Sequence, residues 1–195
     1  MEVATLSFAN LHDYGVLFAN IFRARRQSFI VQNRWNLPEA MGMEYDQYDT
    51  PASRWIAVHD DGEVLAGIRL TPTTARCGIY SYMIRDAQRG LLDSIPSDLL
   101  YADAPIAPDL WESSRVFVSH TTPQAIRGRV HAQLIGEMTK AASDLGASRV
   151  LSLIPATWPR FARRLNLDAE AAGPEMTIDG LRNQCVWINL NRKMH

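Results

Sequence analysis

The chain has 195 residues, 47% of them hydrophobic, and a formal net charge of −1. That is apolar material enough for one sizeable core, so a single domain over residues 1–195 is expected. A near-neutral balance without a basic stripe excludes the usual electrostatic footprint of a nucleic-acid or membrane-surface protein.

From Asp13 to Gln32 the residues Tyr14, Leu17, Phe18, Ile21, Phe22 and Phe29 recur at three- and four-residue steps. This spacing predicts an amphipathic helix, with Asp13 as its cap. A polar, irregular stretch follows, Asn33 to Pro51, carrying four acidic residues. Arg54–His59 and Val64–Leu70 flank Asp60-Asp61-Gly62-Glu63, which predicts a hairpin closed by an Asp-Gly turn. Ile79–Ile84 is expected as a strand, Asp86–Leu92 as a short helix, and Asp93–Asp109 as an excursion over the surface. Trp111–Ser119 predicts a strand. Pro123–Leu145 predicts a long helix ended by Gly146. Arg149–Ile154 is a strand, Thr157–Leu165 a helix, and Met176–Ile178 and Val186–Leu190 the closing strands around Asp179-Gly180. The sum is an α/β chain with a mixed sheet and helices packed on it.

The cysteines, Cys77 and Cys185, lack CxxC spacing, and the histidines form no tight cluster, so neither a disulfide framework nor a metal site is expected. The N-terminus has no signal-peptide pattern and no apolar run reaches membrane-spanning length, which points to a cytoplasmic protein.

Three clusters place polar residues where apolar packing would be the easy choice. The first is Arg25, Phe29, Trp35, Glu44, Asp46 and Asp49, on the first helix and its following loop. The second is Arg69, inside the run VLAGIRL. The third is Glu112 with Arg115, inside WESSRVFVS. Side chains alternate along a strand, so Glu112 and Arg115 point to opposite faces unless a bulge intervenes. Singly, each residue has a bland reading: an edge arginine, a solvated loop acid, a core tryptophan. Together they also suit a purely structural ion-pair network.

The spacing of the set carries more. Arg25-x3-Phe29-x5-Trp35-x10-Asp46-x2-Asp49, then Arg69, then Glu112-x2-Arg115, resembles the pattern of the LuxI-type acyl-homoserine lactone synthases. The surrounding text FRARRQSFIVQNRW, GMEYDQYD, GIRLTPTT and WESSRVFV is similar as well, as is the later GPEMTIDG. In this sequence the family's usual glycine after FARRLN is replaced by Asn166. The resemblance implies the fold of the GCN5-related N-acyltransferases, a three-layer sandwich around a splayed mixed sheet. It implies two substrates and no cofactor: S-adenosylmethionine, and an acyl thioester on acyl carrier protein or coenzyme A. A monomer is the default. The superfamily's pyrophosphate loop is incomplete, because Gln124-Ala125-Ile126-Arg127-Gly128-Arg129 keeps only its first residue.

Roles follow from the same resemblance. Glu112 is the leading candidate for the base that deprotonates the amine, and Asp46 the next. Arg25, Arg69 and Arg115 are candidates for the substrate carboxylate. Asp46, Asp49, Phe29 and Trp35 suit the ammonium and sulfonium. Ser114 and Val116 flank Arg115, where main-chain N–H groups would face an oxyanion if the strand bulges. Ser152 is the candidate facing the acyl chain. The loop from Asn33 to Pro51 is expected to act as a lid. The rival readings are a coenzyme A-dependent N-acetyltransferase and a non-catalytic binding module for S-adenosylmethionine or an acyl thioester.

Overall fold

The computed structural model describes residues 1–190. The chain divides into two compact units. The first comprises residues 1–70 and 115–141, the second residues 71–114 and from 142 onward.

The first unit opens with a strand, β1 (Glu2–Leu6), and a helix, α1 (Leu11–Arg25), which continues into a π-helical turn, Arg26–Gln32. A kink at Gly15, with φ 30° and ψ −95°, separates a first turn over residues 11–14 from the amphipathic run. Asn10 Oδ1 accepts the Ser7 main-chain N–H at 2.7 Å and that first turn closes on Asn10, so Asp13 lies inside the turn before the kink rather than capping the helix. In the π-helical turn, Asn33 N–H reaches back five residues to Ser28 O at 3.2 Å. The loop expected to be irregular contains a small hairpin, β2 (Glu39–Ala40) and β3 (Met43–Glu44). Met41 and Gly42 both have positive φ at its tip.

Next come β4 (Arg54–Asp60) and β5 (Glu63–Pro72), paired antiparallel through a two-residue Asp61-Gly62 turn, as the sequence predicts. Both turn residues have positive φ. The strand order in this unit is β1-β4-β5-β6, the last being β6 (Leu110–Val118), whose C-terminal part belongs here. Leu6, Leu17, Ile21, Phe22, Phe29, Trp55 and Phe117 form its core. Gly67 is required there, since a Cβ would stand 2.7 Å from the Phe117 ring. Most of α3 (Gln124–Asp144) completes the unit, with Val130, Leu134 and Met138 fully buried as the pattern predicts.

The second unit holds the N-terminal part of β6, which pairs parallel with β7 (Arg149–Pro155) from Leu110 to Ser113. β7 pairs antiparallel with β9 (Leu181–Asn189), and β9 with β8 (Asp168–Ile178). The last two strands run longer than their apolar stretches suggest, because exposed polar residues on β8 continue the ladder. The expected strand Ile79–Ile84 is not one. Residues Met83–Gln88 form a helix, α2, while Cys77 and Tyr80 make only an isolated bridge. The reason is tertiary: carboxylates of Asp86 and Glu112 accept the N–H groups of Ser81, Met83 and Ile84.

The stretch 93–109 is tied down rather than loose. Leu99 is buried, Tyr101 N–H donates to Ala172 O, and Tyr82 Oη donates to Pro105 O at 2.7 Å. It crosses β8 at an irregularity between Ala171 and Glu175. Gly173 makes that possible, since a Cβ there would stand 1.9 Å from Leu99 O. After α4 (Trp158–Arg164), Asn166 has a φ of 52°. Asparagine tolerates this left-handed backbone better than other residues with side chains, which fits it for a position where the resemblance expects glycine.

Candidate functional site

The acidic loop and the arginines meet in the first unit, on segments the sequence keeps apart. Arg25 comes from the end of α1, Glu44 from β3, Asp46 and Asp49 from the turn that follows, Arg69 from β5 and Arg115 from β6. The turn is self-capped. Asp46 Oδ1 accepts the Tyr48 N–H at 2.9 Å, and Asp49 Oδ2 accepts the Asp46 N–H at 2.8 Å.

The six charges close into an alternating ring. Arg25 donates to Glu44 at 2.6 Å and, with both terminal nitrogens, to Asp49 at 2.7 and 2.9 Å. Asp49 lies 3.0 Å from Arg69, which donates to Asp46 at 2.5 Å. Asp46 lies 2.8 Å from Arg115, and Arg115 lies 3.2 Å from Glu44. Three positive and three negative groups therefore cancel, each with two neighbours of opposite sign. Such an array is stable only because its charges and hydrogen bonds are matched. The Trp55 indole N–H adds a further bond to Asp49 at 2.9 Å. Burial opposes ionisation of Asp49, but Arg69 and Arg25 outweigh it and hold the carboxyl well below the usual carboxylate range.

Aromatic faces line the ring. Arg25 lies over Phe22, Arg69 over Tyr48, and Arg115 over Phe29 at 5.7 Å. Trp35 stacks parallel on Phe29, with centroids 5.2 Å apart, and keeps 36% of its surface exposed. Every arginine of the ring is among the residues singled out from the sequence. Glu44 falls within the same cluster without an assigned role, although it is fully buried and joins Arg25 to Arg115. Its signal is the spacing Glu44-x-Asp46 on a two-residue strand and the turn after it. The segment 44–49 is built into the ring rather than standing open as a lid.

Glu112 belongs to the second unit. Its carboxylate accepts main-chain N–H bonds from Ile84 at 2.6 Å and Met83 at 3.2 Å, at the start of α2. It is fully buried. Burial first, and the Glu112 charge second, push the Cys185 thiol up to about 12. Ser114 is buried beside it on β6. Ser152, the candidate for the acyl chain, is paired with Ser113 across the β6–β7 register, hydroxyl to hydroxyl at 2.5 Å, in the same unit. Arg115 has a φ of 55°, the break in strand regularity that the bulge argument requires, and Val116 next to it is exposed.

Arg127, in the incomplete pyrophosphate loop, donates to Ser119 O at 3.0 Å and braces the chain before α3. A groove of about 580 Å³ in the first unit, lined by Val16, Asn20, Arg23, Gln27, Gly62 and His120 among others, contains none of the predicted site residues. Among the described residues no cluster suits a metal ion, and no helix is long and apolar enough to cross a membrane.

Residues 10–164 match the model of the autoinducer synthase family. The chain is 30% identical over 173 residues to an acyl-homoserine-lactone synthase of Ralstonia nicotianae, covering 86% of this chain and 79% of that one. Its fold resembles BjaI, a CoA-dependent acyl-homoserine lactone synthase solved with SAM and isopentyl-CoA. That match has a TM-score of 0.78 at 21% identity and covers 98% of this chain and 84% of the other. It also resembles an acyl-CoA N-acyltransferase from Pseudomonas aeruginosa, with a TM-score of 0.59 at 15% identity over 96% and 99% of the two chains. The expected N-acyltransferase-like fold is therefore the one observed.

Proposed function

Because the chain belongs to the autoinducer synthase family, we propose that it makes an acyl-homoserine lactone signal from S-adenosylmethionine and an acyl thioester. The observation that carries this reading is the closed ring of Arg25, Glu44, Asp49, Arg69, Asp46 and Arg115, with Trp35 and Phe29 stacked beside it. A site of paired opposite charges bordered by aromatic faces suits a ligand that is itself zwitterionic and carries a sulfonium.

Two bonds form in the reaction. The amine of S-adenosylmethionine attacks the thioester carbonyl, a C–N bond replaces the C–S bond, and the thiol leaves. An ammonium cannot attack, so the substrate nitrogen sheds two protons on becoming an amide. One ends on the leaving thiol and the other passes through a base to solvent. The substrate carboxylate then attacks its own γ-carbon and expels neutral methylthioadenosine. The sulfonium is already a good leaving group, so the protein's task in this step is to fold the chain into a near-attack shape.

Two carboxylates compete for the role of base. Glu112, favoured by the resemblance, accepts one main-chain N–H at each oxygen from the start of α2 and keeps acceptor capacity for a proton. Asp46, the next candidate, is paired with Arg69 and Arg115 and must loosen from one of them to accept a proton. Main-chain N–H groups near Ser114, Arg115 and Val116 are assigned to the oxyanion, on the strength of the backbone break at Arg115. The Ser113–Ser152 pair is assigned to the acyl chain. The donor is carried by acyl carrier protein or coenzyme A, and the protein works as a cytoplasmic monomer in which both units serve one synthase domain.

The test is direct. Purified protein is incubated with S-adenosylmethionine and a panel of acyl-carrier-protein and acyl-coenzyme A donors, and products are read by mass spectrometry. A lactone with equimolar methylthioadenosine is expected. Folded protein that yields neither with any donor would overturn the assignment. Acetylation without methylthioadenosine would favour an ordinary N-acetyltransferase.

A further inference from the structure

The start of α2 gathers three buried main-chain N–H groups, and two fully buried carboxylates take them. Glu112 accepts the Met83 N–H at Oε2, 3.2 Å away, and the Ile84 N–H at Oε1, 2.6 Å away. Asp86, on α2 itself, reaches back and accepts the Ser81 N–H at 2.8 Å. One N–H on each oxygen fixes the Glu112 carboxylate against rotation about its last bond, a torsion that is otherwise loose. The turn 81–84 is therefore a clamp, and it decides where the remaining acceptor capacity of Glu112 points.

Asp86 is the hub that holds this clamp. Helix α2 has six residues, and its N-cap residue, Tyr82, makes no side-chain cap, so the helix does not hold the turn by itself. The second oxygen of Asp86 accepts Arg89 Nη1 at 3.0 Å, and the same nitrogen donates to Ile79 O at 3.1 Å. Asp86 and Arg89 thus fasten both ends of the segment 79–81 to the helix. Arg76 donates to the Ser81 hydroxyl from the other side. The Tyr82 hydroxyl is pushed up by burial first and by the Glu112 charge second, so it stays a donor and ties the turn to Pro105 O at 2.7 Å. All these bonds lie within the second unit.

We propose that Asp86 is a positioning residue for the acylation step and acts through Glu112. This deepens the synthase reading and rests on Glu112 as its base. Asp86 keeps Ser81 in place, Ser81 sets the path of Met83 and Ile84, and their N–H groups aim the Glu112 carboxylate at the proton it takes. A general base works only within hydrogen-bond reach of that proton, and a misplacement of about 1 Å costs roughly a hundredfold in rate. Asp86 itself is balanced by Arg89, whose side chain is 42% exposed.

Two measurements test this. In the lactone assay Asp86→Ala should lower kcat by roughly ten- to a hundredfold and leave KM for S-adenosylmethionine within about threefold. Asp86→Asn keeps an acceptor for the Ser81 N–H and should stay within about threefold of wild type in kcat. Glu112→Gln should itself lose roughly a hundredfold or more, and adding Asp86→Ala to it should lower kcat by no more than about twofold further. A residue that merely supports the fold would lower both backgrounds alike. The second measurement is amide exchange, which Asp86→Ala should speed at Met83 and Ile84 by roughly tenfold or more. Four results overturn the proposal: losses that add in the double variant, an Asp86→Ala protein with wild-type kcat, a Glu112→Gln protein as fast as wild type, or unchanged exchange at Met83 and Ile84. If Asp86→Ala fails to fold, Arg89→Gln loosens the same hub from its exposed side. It should lower kcat about threefold alone and leave Glu112→Gln unchanged, and no loss, or an additive one, is contrary. Failure of the synthase reading looks different: wild type would give no lactone with any donor, while amide exchange would still show whether Asp86 holds the clamp.

Discussion

Asp49→Asn removes one charge from the middle of the ring while nearly preserving shape. In the native protein Asp49 takes two bonds from Arg25, one from Trp55 and one from the Asp46 N–H, and lies 3.0 Å from Arg69. An amide there turns one acceptor into a donor that faces other donors, and leaves two buried guanidinium groups short of a counter-charge. Breaking a buried pair in this way costs about 3–5 kcal/mol, a large share of the roughly 5–15 kcal/mol that holds a domain folded. For a chain of this size the melting temperature should fall by roughly 6–20 °C. Acidity supplies a second, sharper test. The Asp49 carboxyl titrates well below its ordinary value when folded, and near 3.9 when unfolded. A depressed folded value contributes stability above the unfolded pKa and loses it as pH falls. The gap between wild type and variant should therefore be flat from about pH 7 to 5, then close by about 1.4 kcal/mol per unit below about pH 4. Urea melts across a buffer series, with m-values checked, measure it. A gap below about 1 kcal/mol, or one that ignores pH, would refute the reasoning.

Three further outcomes are expected. Trp35→Ala should raise KM for S-adenosylmethionine by roughly tenfold or more, through loss of an aromatic face, and leave the fold intact; a collapsed melting temperature would make Trp35 a packing residue instead. Gly173→Ala should cost about 1–3 kcal/mol through its collision with Leu99, while Gly128→Ala, inside α3 with open space around it, should gain roughly 0.5–1 kcal/mol; thermal melts that fail to separate the two would be contrary. With a thiol reagent at pH 8, exposed Cys77 should react fast and buried Cys185, pushed up to about 12, only on unfolding; equal rates would be contrary.

Much of the fold is legible from local chemistry. The Asp61-Gly62 and Asp179-Gly180 turns both adopt the positive φ values their residues favour, and the helix over Gln124–Asp144 follows its apolar spacing. What local chemistry does not reveal is set from a distance. Strand β1 has no periodic signal and exists because its residues pair with β4 from Leu6 to Glu2. Helix α2 replaces an expected strand because Glu112, 28 residues beyond Ile84, holds its first turn. The charged set at the site was readable through its spacing, but not its closure. Arg115 has a φ of 55°, and no pattern of side-chain types encodes such a break in a strand.

A closed circuit of charges has a practical consequence for genetics. Each of the six members has two neighbours, so deleting any one strands two others. An alanine scan will therefore return a loss at every member and will not by itself separate the groups that touch ligand from those that hold them. For the same reason, single-step drift at these positions is blocked, since a tolerated change of sign demands compensating changes on both sides at once. Pairwise cycles and graded ligand series are the experiments that can resolve such a circuit.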